Sequence, residues 1–266
     1  MQPKTNPLYS KIYILAILLI AAVSAQSQRT REVQEQNHFW WSVNSVARIS
    51  DRFSIVGDLH IRRTDFLKNN NFFYTRLGLG YHITEQLSVQ ASGGHMWLAN
   101  RNGATELFSN ETRLVEQIQL QDKIGRVQVS HRLRVEQRWV QRVVNFQPVD
   151  ATRYLNRYRY QVGILIPVSK NTKLPRIAVV DELLLQSGKD IVYNHFDQNR
   201  LFLGLRQQVT PSLAFDFGYM QVFQQRLSGY QYNRNHTIRW FFFWQPDWRK
   251  KKPAHAFAEV TLPDMQ

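Results

Sequence analysis

Apolar and polar side chains alternate with a period of two along most of this chain, most clearly between Val127 and Val168. In the first half of that stretch Val127, Val129, His131, Leu133, Val135, Gln137 and Trp139 fall on one side. Gln128, Ser130, Arg132, Arg134, Glu136 and Arg138 fall on the other. In the second half Arg153, Arg157, Arg159 and Gln161 oppose Tyr154, Tyr158, Tyr160, Val162 and Ile164. Successive side chains of a strand point to opposite sheet faces, so this period predicts strands. The same pattern predicts strands at about 37–48, 52–63, 72–83, 86–98, 108–121, 125–140, 152–168, 176–186, 197–209, 212–225 and 235–245. No segment carries a helical period and no βαβ alternation appears, which argues against an α/β architecture.

Two features turn an all-β chain into a barrel. The strands run to about a dozen residues, the length that crosses a bilayer at a tilt with a polar face turned to a wet interior. The connections are expected to alternate between short turns and longer loops, as in an outer-membrane meander. All seven tryptophans (Trp40, Trp41, Trp97, Trp139, Trp240, Trp244 and Trp248) fall near expected strand ends, where aromatic girdles sit at a membrane interface. Gly78, Gly80, Gly93 and Gly94 lie inside strands, marking close approach, a bulge or curvature. The expected fold is therefore an antiparallel up-and-down transmembrane β-barrel, with a soluble β-sandwich as the alternative. Eleven strands would leave the first and last parallel, so about twelve is preferred. The twelfth is sought in the polar leader, residues 26–36, or in the stretch Ala254 to Leu262.

The N-terminus sets the compartment. Lys4 and Lys11 precede an apolar run from Ile12 to Val23, and Val23-Ser24-Ala25 offers small residues before a cut. Residues 1–25 thus read as a signal peptide cleaved after Ala25, residues 26–36 as a polar leader, and 37–266 as one barrel domain. The remainder has no apolar segment long enough to span a membrane as a helix, and the mean hydropathy of the whole chain is −0.41. The chain carries 34 Lys and Arg against 20 Asp and Glu, a formal charge of +14. Such a balance suits nucleic acid or an anionic surface, and export removes nucleic acid as a partner. Outer-membrane lipid and a small anionic solute are the partners left. Cysteine is absent, which excludes disulfides, Cys-based metal sites and a lipoprotein anchor.

Several motifs resemble a known family. They are Glu111-Thr112-Arg113-Leu114, His131-Arg132-Leu133-Arg134-Val135-Glu136-Gln137-Arg138, Asp181-Glu182-Leu183 and the run Phe196 to Leu205, with Arg62-Arg63 and Gly218-Tyr219. Together they are similar to the domain of unknown function 2490 family, exported proteins of Gram-negative bacteria, over nearly all of the chain beyond residue 25. The resemblance implies an outer-membrane β-barrel and carries over no catalytic residue.

The site-like feature is electrostatic. By parity Asp58, Arg62, Arg76, Glu111, Arg113, Arg132, Arg134, Glu136, Arg138, Arg157, Arg159, Glu182, Arg200, Arg206 and Asp216 share the inner face. Planar guanidinium groups bind carboxylates bidentately, so neighbouring strands would pair these charges. The expectation is an ion-paired plug, or a cationic interior that binds or passes an anion. Glu182 stands in an otherwise apolar strand and must be paired or protonated, with Arg157, Arg159 and Arg200 as expected partners. Phosphate-loop, HExxH, G-x-S-x-G and calcium-loop patterns are absent. The eight histidines (His38, His60, His82, His95, His131, His195, His236 and His255) lack ligand spacing, so no catalytic residue, metal or cofactor is expected. A barrel-borne lipid hydrolase is the enzymatic alternative; it would need a serine beside outward-facing His95 or His131. The basic run Trp248 to Pro253 reads as a solvated turn, or as a contact with anionic head groups.

Overall fold

The computed structural model of the chain describes residues 31–171, 173–191 and 195–249. The expected signal peptide, the start of the leader and the stretch from Ala254 to Leu262 lie outside these residues. The described chain is all-β: β1 (Glu32–Arg48), β2 (Phe53–Thr64), β3 (Asn69–His82), β4 (Leu87–Asn102), β5 (Thr105–Ile124), β6 (Val127–Val144), β7 (Gln147–Pro167), β8 (Arg176–Ser187), β9 (Phe196–Thr210), β10 (Leu213–Gln225) and β11 (Gln231–Trp244). Each strand pairs antiparallel with the next, and β1 closes the barrel against β11. It is one closed sheet, so the two packed sheets of a sandwich are not its architecture.

The count among the described residues is eleven, not the preferred twelve, and the parity problem is met by a parallel seam. β1 and β11 run side by side in the same direction from Glu32↔Gln231 to Ser45↔Trp244. Five of the leader residues form the first rungs of that seam. Their hydrogen bonds come from the backbone, so the polar composition that suggested an irregular leader is no obstacle to a strand.

The loops also differ from expectation. At the rim where β1 ends, the connections are 49–52, 83–86, 125–126, 168–175 and 211–212; at the other rim they are 65–68, 103–104, 145–146, 188–195 and 226–230. The polar stretches expected as long loops near residues 100 and 145 instead continue the ladder as hairpins. Gly103 takes the left-handed backbone at one turn, with φ of 59°, and Asn145 and Phe146 take it at the other, with φ of 49° and 63°. Two consecutive residues with positive φ give the primed turn whose twist matches a two-residue hairpin. Past the last strand, Trp248 N–H donates to the Arg48 carbonyl at 2.8 Å. Arg249 pairs with Asp247 at 2.6 Å and with Asp51 at 3.2 Å. Hydrogen bonds from Arg249 hold the Asp247 carboxyl down at about 2. This part of the basic run is tied to the first rim, not simply solvated.

Alternation sorts the side chains. Leu77, Leu79, Ile118, Leu133, Leu201, Leu203, Leu205 and Phe217 are exposed on the outer wall. The inner wall has an apolar part, in which Leu165, Ala178, Val180, Phe202, Ala214, Met220, Val222, Phe241 and Phe243 pack with Trp40. Trp40 therefore departs from the expected girdle: it points inward and is buried, whereas Trp97, Trp139, Trp240 and Trp244 are exposed outside. Close approach occurs at Gly204 and Gly218, which face each other across β9 and β10. A Cβ on Gly218 would overlap the Gly204 Cα and the Leu203 carbonyl oxygen, while one on Gly93 would meet nothing within 4 Å. Gly218→Ala is expected to destabilise the barrel by about 1–3 kcal/mol, because rigid backbone must shift, and Gly93→Ala by less than about 0.5 kcal/mol. Unfolding monitored by heat-modifiable gel mobility checks the difference.

Candidate functional site

Arginine is the residue that fills the inner face. Arg132, Arg134, Arg159, Arg206 and Arg239 are among the largest fully buried side chains of the protein. All fifteen charged residues expected on the inner face are there, each 8% exposed or less. What the alternation could not show is how they connect.

Most belong to one network on β5 to β9. Arg138 grips Glu111 side-on, Nε to Oε1 at 2.5 Å and Nη2 to Oε2 at 2.9 Å. Arg113 donates to the same Glu111 at 2.6 Å and reaches Glu136 at 3.4 Å. Arg159 joins two acids: its Nη1 donates to Glu136 at 2.5 Å, and its Nη2 and Nε donate to Glu182 Oε1 at 2.7 and 2.9 Å. Glu182 also accepts from Arg132 Nη2 at 2.6 Å and Arg200 Nη1 at 3.3 Å. Arg134 donates twice to Gln117 Oε1, at 2.9 and 2.6 Å, and lies 3.8 Å from Glu136. Charge-assisted bonds of this kind are roughly twice as strong as neutral ones.

Two smaller groups lie apart. Asp58 accepts from Arg76 at 2.6 Å, with His60 Nε2 at 3.9 Å. Asp216 is gripped side-on by Arg206, at 2.5 and 2.8 Å, and approached by Arg239 at 3.0 Å. Arg239 also lies over the rings of Phe202 and Phe241, at 4.0 and 4.3 Å. Arg62 has no carboxylate partner among the described residues. Its guanidinium lies 3.3 Å from the Trp40 ring centroid and 4.5 Å from that of Phe72.

Strand register explains where the expected partners change. Arg200 sits directly opposite Glu182. Gln161 lies between Glu182 and Arg132 in the ladder, and the long Arg132 side chain spans it. Arg157 pairs with Gln186, well along β8 from Glu182. It is not a Glu182 partner; its Nε instead lies 2.7 Å from Asp197 Oδ2. Asp197 was missed because alternation counted from Arg200 puts it outside. The bulge at Leu184/Leu185 pairs Gln198 and Phe196 but skips Asp197, and both Asp197 and Gln198 end up buried. Arg239 was missed although alternation with Asn235, Thr237, Phe241 and Phe243 places it inside; the surrounding aromatic run hid it.

On the outer wall His95 Nε2 lies 3.2 Å from Asn110 Oδ1 and His95 Nδ1 lies 3.4 Å from Thr112 Oγ1. His131 Nδ1 lies 2.9 Å from the Tyr160 hydroxyl. Neither histidine contacts a serine among the described residues, so the nucleophile that a serine hydrolase needs is not beside either base.

Fold and site together define a closed all-β barrel with an ion-paired, arginine-rich interior. The chain belongs to the family described as protein of unknown function (DUF2490), whose model matches residues 37–234. No curated protein and no solved structure matches it.

Removing one carboxylate from the network takes a countercharge from several buried guanidinium groups at once. Glu182→Gln is expected to cost about 3–5 kcal/mol of stability. Glu35→Gln, which breaks the exposed pairs with Arg234 and His236 on the seam, should cost less than about 1 kcal/mol. Urea unfolding followed by tryptophan fluorescence compares the two; equal losses would mean that the interior pairing is not structural.

Proposed function

We propose that this protein is an exported outer-membrane β-barrel whose interior is closed by its own arginine–carboxylate network. On this reading it works as a membrane-embedded body rather than an open pore. The observation that carries it is the inverted distribution of side chains. Arg134, Arg206, Arg239, Glu111, Glu136 and Glu182 are 0% exposed inside, while Leu77, Leu79 and Leu203 are 68, 60 and 58% exposed outside. Water rewards the opposite arrangement, and a lipid environment rewards this one. A closed sheet also leaves no unpaired strand edge, as backbone in hydrocarbon requires. The signal-peptide pattern of residues 1–25 supports export.

A second reading, in which the interior binds or passes a small anion, is favoured by one observation. Among the described residues eleven buried arginines face six buried acids on the inner wall, a positive excess.

Membrane fractionation and planar-bilayer recording test both readings. The protein is expected in the outer-membrane fraction with heat-modifiable mobility, and recovery as a soluble periplasmic protein would overturn the membrane reading. Reconstituted protein is expected to be electrically silent. Stepwise, anion-selective conductance would replace the closed interior with the second reading.

A further inference from the structure

Arg62 is a buried inner-wall arginine whose Nε and Nη2 make no hydrogen bond among the described residues. We infer that it is the anchor of an oxyanion-binding site just inside one rim of the barrel, built for a group that presents two oxygens in a plane, a carboxylate or a phosphoryl group.

The faces and the edge of the guanidinium argue separately. Its faces are occupied: Trp40 lies 3.3 Å from Cζ and Phe72 4.5 Å. Its edge is not. Nε and Nη2 are buried and make no hydrogen bond among the described residues, and the whole side chain is 3% exposed. These are the two donors that Arg138 turns on Glu111 and Arg206 turns on Asp216. The interior thus shows twice what this edge binds when it has a partner: both oxygens of a carboxylate, side-on. Stacking fixes the plane of the Arg62 fork, so little orientational freedom is lost when an oxyanion docks.

Charge points the same way. Arg200 lies across the Trp40 ring at 5.3 Å, and it turns its own Nε and Nη2 to the neutral Gln198 Oε1, at 2.9 and 2.8 Å. It also reaches Glu182, 3.3 Å away, and that carboxylate is shared with Arg132 and Arg159. The strongest fields on Arg62 come from Arg200, Arg159 and Arg113, set against Glu182. Water could satisfy the two donors but would not neutralise the charge. An oxyanion does both. A halide offers a single centre and leaves the fork's geometry unused. Arg62 lies two residues from Thr64, where β2 ends at the rim, so a ligand need not cross the central network to reach it.

The inference goes beyond the membrane placement and is tested apart from it, on detergent-purified full-length protein. Isothermal titration at fixed ionic strength with inorganic phosphate, succinate and chloride should show saturable binding, one per chain, for phosphate or succinate and none for chloride. The more strongly bound of the two identifies the oxyanion class. Arg62→Gln should weaken that binding roughly ten- to hundredfold, the loss expected for charge-assisted hydrogen bonds, with folded gel mobility retained. Phe72→Glu supplies a second route, because position 72 is directly opposite Arg62 in the ladder and its carboxylate can take the fork. It should abolish binding and raise the unfolding temperature. Absence of saturable binding by the wild type, undiminished binding by either folded variant, or loss of the folded form in Phe72→Glu would each overturn the site.

Discussion

The interior depends on one constraint: guanidinium groups buried in a barrel need countercharges, and here most of them find these inside the barrel. Burying an ion without a partner costs far more than a single domain can spare, and three glutamates on β5, β6 and β8 meet most of that demand. Glu111, Glu136 and Glu182 each accept from more than one arginine, and Arg159 ties the second to the third. Because every acid is shared, the network behaves as a unit. Its members hold one another in a geometry that no single pair would impose, and their contributions to stability should be strongly non-additive.

The choice of arginine follows from barrel size. Eight strands leave an interior that side chains just fill, and the diameter grows with strand number. Eleven strands open a wider space that Val or Ala cannot bridge. The side chains that fill it are long or broad: Arg132, Arg134, Arg159, Arg206 and Arg239 with Tyr74, Phe202, Phe241, Phe243 and Met96. Arg132 reaches from β6 to Glu182 on β8. Stacking on Phe202, Phe241 and Phe243 lets the same guanidinium groups pack against the apolar part of the wall. Packing and charge pairing are met by the same residues, and the apolar and ionic parts of the interior are one core.

Alternation made the fold class and the inner-face residues legible, because a strand's period is fixed by backbone geometry and survives any register. It failed where geometry departs from the period. Asp197 turned inward at a bulge that no residue pattern marks, and register set Arg157 beside it, opposite Gln186 and well along β8 from Glu182. The hairpins beyond residues 98 and 140 were hidden for a different reason. Loop expectations rest on side-chain polarity, whereas a ladder is held by the backbone, and polar strands outside an apolar band pair as well as apolar ones. Trp40 shows a third kind of failure. Tryptophan near a strand end suggests an interface, but here its ring faces Arg62, and only the partner on the next strand tells the two uses apart.

Strand number is the one global property that composition leaves undetermined, and the structure shows why an odd count is tolerable. Closure needs each edge to meet another edge; it does not need them antiparallel. The parallel β1–β11 seam is somewhat weaker per residue than an antiparallel pair, yet it runs from Glu32↔Gln231 to Ser45↔Trp244 and is as long as any ordinary strand pairing. Side chains reinforce it at one end, where Glu35 meets Arg234 at 3.0 Å and His236 at 2.6 Å, and Gln231 meets Glu32 at 2.8 Å. Those contacts use the polar residues that looked like a leader. The composition that argued against a strand is what fits this segment to begin one, since β1 starts at the rim, where its side chains meet water and other charges rather than the apolar outer wall.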